Sequence, residues 1–514
     1  MSVDNKKFKK WELRHLKKRC LDFGLNSQKQ KLESYIQGQD IDLEKVLYRL
    51  SDIPGFSKTC RKPECQVCSK VENLKPSNYS KKPFEMSLEL YRWQKKCKDR
   101  WIENGGNGIV RVVTGAGKTI FALSLISYLK NKAIYQDNGL KVVIVVPNTA
   151  LLDQWFNEVK SILNLGEDDF GVFFGEQKDD IEENDLMIYV LNSARRHLED
   201  HLEKVDEDVF LIADECHRFA SEKSAEIFEN TFDYTVGLSA TPERDADYGF
   251  ENVLVPNLGD VIYTYSYSDA RDDNIIPPFH LKRVEVPLQE KEEEIYEEYT
   301  EKLDKMFKII ISRYPVLKNC DSKNFLKTLG RLQREHDDDT LENYTVLANK
   351  RKEIIHESIS KMSALKYLIN NDISKSSRVL IFHERTESAD RIHEFLQEQG
   401  FNSGVYHTKI NSTKRREALK QYRENDLNIL VTCKALDEGL DVPDTDVGII
   451  VAATSSVRQR IQRIGRILRR SPGKDYAQIF TIYIRDKEER IFERPQMKDL
   501  KKTAEKVDVK RLSF

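Results

Sequence analysis

The chain has 514 residues, which exceeds what a single hydrophobic core can organise, so roughly three or four structural units are expected. Its net charge is −2, and any site for a polyanion must therefore be a local basic patch rather than a property of the whole chain. No apolar stretch is long enough to span a bilayer, and the eight cysteines are too few for a disulfide framework. These features exclude a membrane protein and predict a soluble intracellular one, cytoplasmic or associated with nucleoid or nucleus.

Residues 1–50 are rich in lysine and have helical spacing of apolar residues. A break at residues 23–25 separates two predicted helices, a layout that resembles the SAP-type DNA-binding module. The lysines and arginines of residues 6–19 form a dense basic face, which favours contacts to DNA phosphates. The alternative is a solvated helical hairpin that packs on the main body of the protein.

Residues 51–85 form a predicted linker that contains three closely spaced cysteines. Cys65 and Cys68 have the spacing of a zinc knuckle, and Cys60 supplies a possible third thiolate. The sequence leaves the fourth ligand open among three residues: His15, Cys20 and Cys97. The alternative is a loop with three reduced cysteines, so the sequence predicts a zinc site here without excluding that reading.

Residues 86–265 alternate between predicted strands and helices, and residues 109–130 read as strand, glycine-rich turn and helix. Glycines in such a turn let backbone N–H groups approach phosphate oxygens, and the helix N-terminus adds its positive dipole end. The segment therefore predicts a site for ATP and Mg²⁺, with phosphate-binding residues as follows: Thr114, Gly115, Ala116, Gly117, Lys118 and Thr119.

Two carboxylates follow a second strand of this domain, where a continuous apolar run delivers Asp214 and Glu215. Carboxyl ends of parallel strands lie at the ligand edge of such a sheet, so Asp214 is predicted to hold Mg²⁺ together with Thr119. Glu215 is predicted to orient and deprotonate the attacking water. Upstream, Gln94 is a candidate for hydrogen bonds to adenine, and the alternative is that this segment is simply the start of an amphipathic helix.

The remaining chain divides into three predicted parts. Residues 266–360 form a charged helical insertion, either a spacer between two α/β domains or an element that grips nucleic acid. Residues 361–487 form a second predicted α/β domain. Residues 488–514 are predicted to be a basic tail or a terminal helix.

The order of these blocks resembles helicase superfamily 2. Its motif I corresponds to residues 114–119, motif II to residues 214–217, motif III to residues 239–241, motif V to residues 434–443 and motif VI to residues 459–469. The motif II sequence Asp-Glu-Cys-His and the wording of motifs V and VI look most like the XPB-like and restriction-translocase-like branch. The resemblance implies an α/β fold with two tandem RecA-like parallel-sheet domains, preceded by the small helical module and interrupted by the helical insertion.

The resemblance also implies roles for residues of the second domain. Gln462, Arg466 and Arg469 are expected to act on the γ-phosphate, with Lys118, Asp214 and Glu215 as the catalytic groups of the first domain. Gly439 and Asp441 of motif V are expected to contribute to nucleotide binding.

These features predict an ATP-dependent nucleic-acid helicase or translocase acting on DNA, in which ATP hydrolysis drives domain closure and stepping along a strand. The alternatives are an RNA helicase and a nucleic-acid-binding subunit of a larger complex. No nuclease, methyltransferase or ligase constellation is recognisable in the sequence, so we expect partner proteins to supply any such activity.

Overall fold

The structure is a computed structural model that describes residues 84–135, 139–163, 165–166, 169–243, 247–320, 322–374, 376–433, 445–452, 457–468, 474 and 476–514. They divide into two compact units. The first holds residues 84–112, 117–242 and 249–264, and the second holds residues 265–514 with the segments 113–116 and 243–248. The predicted N-terminal module and the cysteine linker, apart from residues 84 and 85, lie outside the described residues.

The first unit is built on an eight-stranded sheet with the order β4-β3-β5-β2-β6-β7-β1-β8. β2 pairs in parallel with β5 and β6, and β7 pairs in parallel with β6 and β1, whereas β3 and β4 are antiparallel. The strands have these bounds: β1 Ile109–Val112, β2 Leu140–Val146, β3 Gly171–Phe174, β4 Gln177–Lys178, β5 Leu186–Val190, β6 Asp208–Asp214, β7 Tyr234–Ser239 and β8 Val261–Tyr265.

The central strands of this sheet are both parallel and buried. Every residue of β2 and of β6 is buried, as expected for strands covered on both faces. Their side chains join one apolar core with residues of the flanking helices. The helices have these bounds: α1 Arg92–Glu103, α2 Lys118–Tyr135, α3 Thr149–Ile162, α4 Leu191–Leu202 and α5 Val255–Leu258.

The second unit is built on a seven-stranded sheet with the order β11-β12-β10-β13-β14-β9-β15. All of its neighbouring strands are parallel. The strands have these bounds: β9 Phe279–Val286, β10 Val379–Phe382, β11 Ser403–Tyr406, β12 Ile429–Thr432, β13 Val447–Ile450, β14 Ala477–Ile484 and β15 Lys506–Arg511.

Nine α-helices of the second unit fall in the described part of the chain. Among all the helices that the structure describes, none is long and apolar enough to cross a membrane. The nine have these bounds: α6 Tyr267–Asp272, α7 Glu290–Arg313, α8 Ser322–Glu335, α9 Asp339–His356, α10 Ile359–Asn371, α11 Thr386–Glu398, α12 Ser412–Arg423, α13 Val457–Ile467 and α14 Pro495–Thr503.

The helices α7, α8 and α9 form the charged helical segment that the sequence predicts. They bury a small apolar cluster of their own, formed by five residues: Ile310, Leu317, Leu329, Leu332 and Leu341. Asp338 caps α9, because its side chain accepts a hydrogen bond from the Thr340 N–H at 2.8 Å.

Two strands correct the predicted layout of the second half of the chain. β9 lies inside the range 266–360 assigned to a helical insertion, and β15 follows the helix α14 inside the range 488–514 assigned to a tail or terminal helix. The structure instead pairs β9 with both β14 and β15. Each strand obtains its partners from remote parts of the sequence, so the local charge pattern did not indicate it.

Candidate nucleotide-binding site

The turn between β1 and α2 has the backbone geometry of a phosphate-binding loop. Gly115 has φ 84° and Gly117 has φ 89°, values in the left-handed region that glycine adopts without a steric penalty. A Cβ atom on Gly117 would lie 2.9 Å from Nε2 of Gln94, so this position also requires a residue without a side chain. Lys118 then begins α2, with Thr119 half-buried in its first turn.

The side chain of Gln94 fixes the position of this loop. Its side chain is fully buried, Oε1 accepts a hydrogen bond from the Tyr91 N–H at 2.8 Å, and Nε2 donates to the Gly117 carbonyl at 2.9 Å. The amide thus ties the start of α1 to the loop. In this geometry Gln94 positions the loop, and the hydrogen bonds to adenine that the sequence suggests for it stay a prediction.

Asp214 ends β6 and is buried with both carboxylate oxygens occupied. Oδ2 accepts a hydrogen bond from Nε1 of Trp155 at 2.8 Å, and Oδ1 accepts one from the Glu215 N–H at 2.9 Å. Burial and the neighbouring Glu215 carboxylate raise the pKa of Asp214 above its ordinary value. The two hydrogen bonds fix the orientation of a carboxylate at the edge of the sheet.

Glu215 faces Lys118 across this edge. Its Oε1 lies 3.1 Å from Nζ of Lys118, and both side chains are 13% exposed. Burial alone would lower the pKa of Lys118, but the carboxylates of Glu215 and Asp214 outweigh it and raise that pKa. The structure therefore brings together Lys118, Asp214 and Glu215, the three catalytic residues that the sequence assigned to the first domain.

Motif II and motif III are joined by a buried hydrogen-bond chain. Nδ1 of His217 lies 3.4 Å from Oε2 of Glu215 and 3.2 Å from Oγ of Ser239. The same hydroxyl oxygen accepts a hydrogen bond from the Thr241 N–H at 3.1 Å. This series of hydrogen bonds connects the Glu215 carboxylate, just after β6, with the end of β7.

This set of groups fits a magnesium–nucleotide complex. The glycine turn with its left-handed φ values can present backbone N–H groups to phosphate oxygens, and Lys118 supplies a cation next to it. Asp214 offers a buried carboxylate, the ligand type that Mg²⁺ prefers, with the Thr119 hydroxyl in the same region of the sequence. The arrangement can therefore bind and hydrolyse a nucleoside triphosphate.

The predicted residues of the second domain are described in part. Gln462 and Arg466 lie in α13 and are buried. Between them, Arg463 is fully buried, with Nη2 3.0 Å from Oε1 of Glu384 and its guanidinium over the Phe382 ring. Arg469, Gly439 and Asp441 lie outside the described residues.

Trp155 is the functional contact that sequence reasoning missed. It lies on α3, and its partner Asp214 is at the end of β6, so only the adjacent pairing of β2 and β6 brings the two together. A tryptophan after a predicted strand end was visible in the sequence, but nothing there indicated which acceptor its indole N–H would meet.

A parallel sheet with a glycine loop after β1 and acidic residues at the end of β6 defines the class of P-loop nucleoside triphosphatases. Residues 87–244 match the family described as type III restriction enzyme, res subunit, and residues 360–471 match the helicase conserved C-terminal domain. The chain belongs to helicase superfamily 2, in the XPB-like and restriction-translocase-like branch, and is an ATP-hydrolysing enzyme.

Three relatives illustrate the similarity. The DNA 3'-5' translocase XPB2 of Sulfurisphaera tokodaii is 29% identical over 395 residues, covering 76% of this chain and 81% of the relative. Putative helicase 22 of Sulfolobus islandicus filamentous virus is 27% identical, covering 79% and 67%. The putative DNA 3'-5' helicase Rad25 of Haloarcula marismortui is 22% identical, and this chain spans only 56% of its length.

Solved structures share the fold at low identity. The fragment of a putative HsdR subunit of a type I restriction enzyme from Vibrio vulnificus has a TM-score of 0.54 at 15% identity, covering 84% of this chain and 70% of that one. Dbp5 of S. cerevisiae, bound to RNA and ADP BeF3, has a TM-score of 0.51 at 12% identity, covering 83% and 90%. The likeness supports the two-domain α/β architecture.

Proposed function

We propose that the protein is an ATP-driven DNA helicase or translocase that moves in the 3′-to-5′ direction. The observation that carries the ATP-driven part is the cluster of Lys118, Glu215 and Asp214, which gathers a cation and two carboxylates at one sheet edge. The choice of DNA and of direction is supported by relatives named as DNA 3'-5' translocase and helicase.

Each residue of the first domain then has a distinct role. Lys118 contacts the β- and γ-phosphates, and the loop from Thr114 to Gly117 donates backbone N–H groups to them. Thr119 and Asp214 hold Mg²⁺, which neutralises charge on the phosphates when bound. Glu215 orients the attacking water and accepts its proton, once Lys118 has turned from the carboxylate to the nucleotide.

We further propose that motif VI completes the reaction. Gln462, Arg466 and Arg469 are assigned to the γ-phosphate, and Gly439 and Asp441 to nucleotide binding. An arginine at a developing phosphoryl charge is worth about 10³–10⁵ in rate. The proposal is supported by the match of residues 360–471 to the helicase C-terminal domain.

RNA is the second candidate substrate, because one relative in Methanocaldococcus jannaschii, 22% identical, is named as a putative ATP-dependent RNA helicase. The test measures ATPase rates of the full chain with single-stranded DNA, duplex DNA and RNA as separate activators. We expect DNA to stimulate the rate and RNA to do so weakly. Stimulation by RNA alone would overturn the DNA assignment, and no stimulation by any of the three would favour a binding subunit.

Direction of movement needs a separate measurement. Triplex displacement from duplex DNA with a single-stranded tail on either strand reports the strand that the motor follows. Displacement only from substrates loaded for 5′-to-3′ travel would contradict the proposed polarity while leaving the ATPase assignment intact.

We also propose that Cys60, Cys65 and Cys68 hold a structural zinc ion, which their spacing supports. Cys97, one candidate for the fourth ligand, is fully buried in α1, where burial raises the pKa of its thiol and disfavours the thiolate that zinc requires. Metal analysis of the purified chain should give close to one zinc per chain, lost in a Cys65→Ser and Cys68→Ser variant. Metal-free protein that folds normally contradicts the site.

A further inference from the structure

A pocket of about 410 Å³ lies in the second domain, outside the residues assigned to ATP. It is bounded by α9, by the first turn of α13 and by the segment that follows β14. Cationic side chains dominate its lining: Arg351, Lys352, Arg460, Lys487, Arg490 and Arg494. One carboxylate, Glu488, faces these six.

The acidic groups near the pocket are already engaged. Oε2 of Glu488 lies 2.7 Å from Nζ of the buried Lys361 and accepts a hydrogen bond from the Ile484 N–H, also at 2.7 Å. Glu293 and Glu297 of α7 each lie 2.8 Å from Nζ of Lys487. These pairings leave most of the positive charge of the lining uncompensated.

Three of the remaining cations are exposed at the pocket. Lys352, Arg490 and Arg494 have no acidic partner within 4.0 Å in the part of the chain that the structure describes. Exposed cations around a concave site attract anions over the Debye length, about 8–10 Å at physiological salt.

Arg460 is the buried anchor of the pocket. Its residue is only 2% exposed, and within the described structure Nε and Nη1 have no hydrogen-bond partner. Burial lowers the pKa of Arg460 to about 10, despite the opposing effect of the Glu488 and Glu384 carboxylates. A buried guanidinium with free N–H groups is costly unless an anion accepts from it.

We propose that this pocket binds phosphate groups, with Arg460 as the inner contact and Lys352, Arg490 and Arg494 as the outer ones. Guanidinium N–H groups match the oxygens of a phosphate in a bidentate arrangement, and several cations suit a chain of phosphates better than a single carboxylate. The source is either a free polyphosphate or the phosphodiester backbone of nucleic acid.

Isothermal titration of the full chain with sodium tripolyphosphate, in buffer without magnesium, tests the proposal. All samples carry Lys118→Ala, so that the loop after β1 does not compete for the probe. Arg460→Met, and separately the double variant Arg490→Ala with Arg494→Ala, should raise the Kd at least tenfold. The matched control, Lys501→Ala with Lys502→Ala, removes two exposed charges from α14 outside the pocket and should change the Kd less than twofold.

A Kd that is unchanged in both pocket variants, or that rises equally in the control, overturns the proposal. The exposed double variant keeps the test decisive if Arg460→Met fails to fold. A twelve-nucleotide single strand then identifies the source: displacement by tripolyphosphate indicates the nucleic-acid backbone, and simultaneous binding indicates a free polyphosphate. Either result supports a phosphate pocket. Neither result bears on the proposed helicase activity, which the ATPase assays test separately.

Discussion

Glu215 has a backbone conformation that few glutamates adopt. Its φ of 46° and ψ of 51° lie in the left-handed region, which costs a residue with a Cβ about 1–2 kcal/mol. The contacts to Lys118 and His217 hold the carboxylate in place despite this cost. Strain therefore coincides with the residue proposed to activate water, as is common at functional sites.

The first prediction separates the roles of Lys118 and Glu215. Lys118→Ala should weaken ATP binding, because it removes the cation of the loop and leaves two carboxylates facing the phosphates. Glu215→Gln should still bind ATP but lose turnover by at least 10²-fold, the lower end of the contribution from a general base. Nucleotide titration and single-turnover hydrolysis of both variants provide the measurement. Turnover of Glu215→Gln at the parent rate would contradict the assignment.

The second prediction concerns the hydrogen bond from Trp155 to Asp214. The indole N–H favours the ionised carboxylate, whose pKa burial already raises, so Trp155→Phe should raise that pKa further. Asp214 must be ionised to hold Mg²⁺, and the acidic limb of the ATPase pH profile should therefore move to higher pH. Stability should also fall by about 1–3 kcal/mol, because a buried acceptor loses its donor.

Trp101→Phe is the matched control for this prediction. Trp101 is equally buried in the first domain, but its Nε1 donates to the Thr235 carbonyl at 2.9 Å, not to a carboxylate. The Trp101→Phe variant should lose a similar amount of unfolding free energy without shifting the acidic limb of the ATPase pH profile. If both variants shift the limb alike, general loosening explains the effect and the role of Trp155 is excluded.

Among the secondary-structure elements, the sequence indicated those strands that can be recognised from their own residues alone. β2 and β6 are continuous apolar runs, and the loop from Thr114 to Thr119 carries its glycines and lysine in order. β9 contains Lys282, Arg283 and Glu285, and β15 alternates charged and apolar residues at a sheet edge. Such strands depend on a neighbour for their pairing, and that neighbour is not encoded nearby.

The same limit applied to the candidate site. Lys118, Asp214 and Glu215 could be predicted because each sits at the end of a recognisable element. The partners of Gln94 and Trp155 could not, since both contacts join side chains to segments that only the tertiary fold brings near.

The third prediction follows from the pairing of β15 with β9. A chain truncated after residue 504 should lose about 3 kcal/mol or more of unfolding free energy in the second domain, at about 0.5–1.5 kcal/mol for each lost backbone hydrogen bond. Scanning calorimetry provides the measurement. Lys510→Ala is the control, because it removes the 2.7 Å pair with Asp372 and the contact of Lys510 with the Tyr367 ring but keeps the backbone of β15; it should cost less than about 1 kcal/mol. An unchanged transition after truncation would mean that residues 505–514 are indeed a tail.

The distribution of charge over the whole molecule bears on how it holds DNA. Because the net charge is −2, basic residues must be concentrated in one region to bind the DNA phosphates. The fourth prediction is that deleting residues 1–50 weakens DNA binding and leaves basal ATPase activity intact. Each lost phosphate contact should reduce the slope of log K against log salt by about 0.9. Fluorescence anisotropy over a salt series, with ATPase assays beside it, makes the measurement.

The alternative for residues 1–50 is a hairpin that packs on the first domain. Deletion would then lower the melting temperature and basal activity together and leave the salt slope unchanged. A truncated chain measured in both ways distinguishes the two, and an unchanged slope would count against DNA contacts by this segment.

The strand order of the second sheet has a consequence for protein synthesis. The first sheet has all its strands once residue 265 has been made, so that domain can fold while the ribosome continues. β9 is made soon afterwards but lies between β14 and β15, so one of its edges stays open until residue 484 has been made and the other until residue 511. For nearly two hundred residues of translation the nascent chain carries β9 with neither of its neighbouring strands, and chaperones have most reason to bind the chain during this interval.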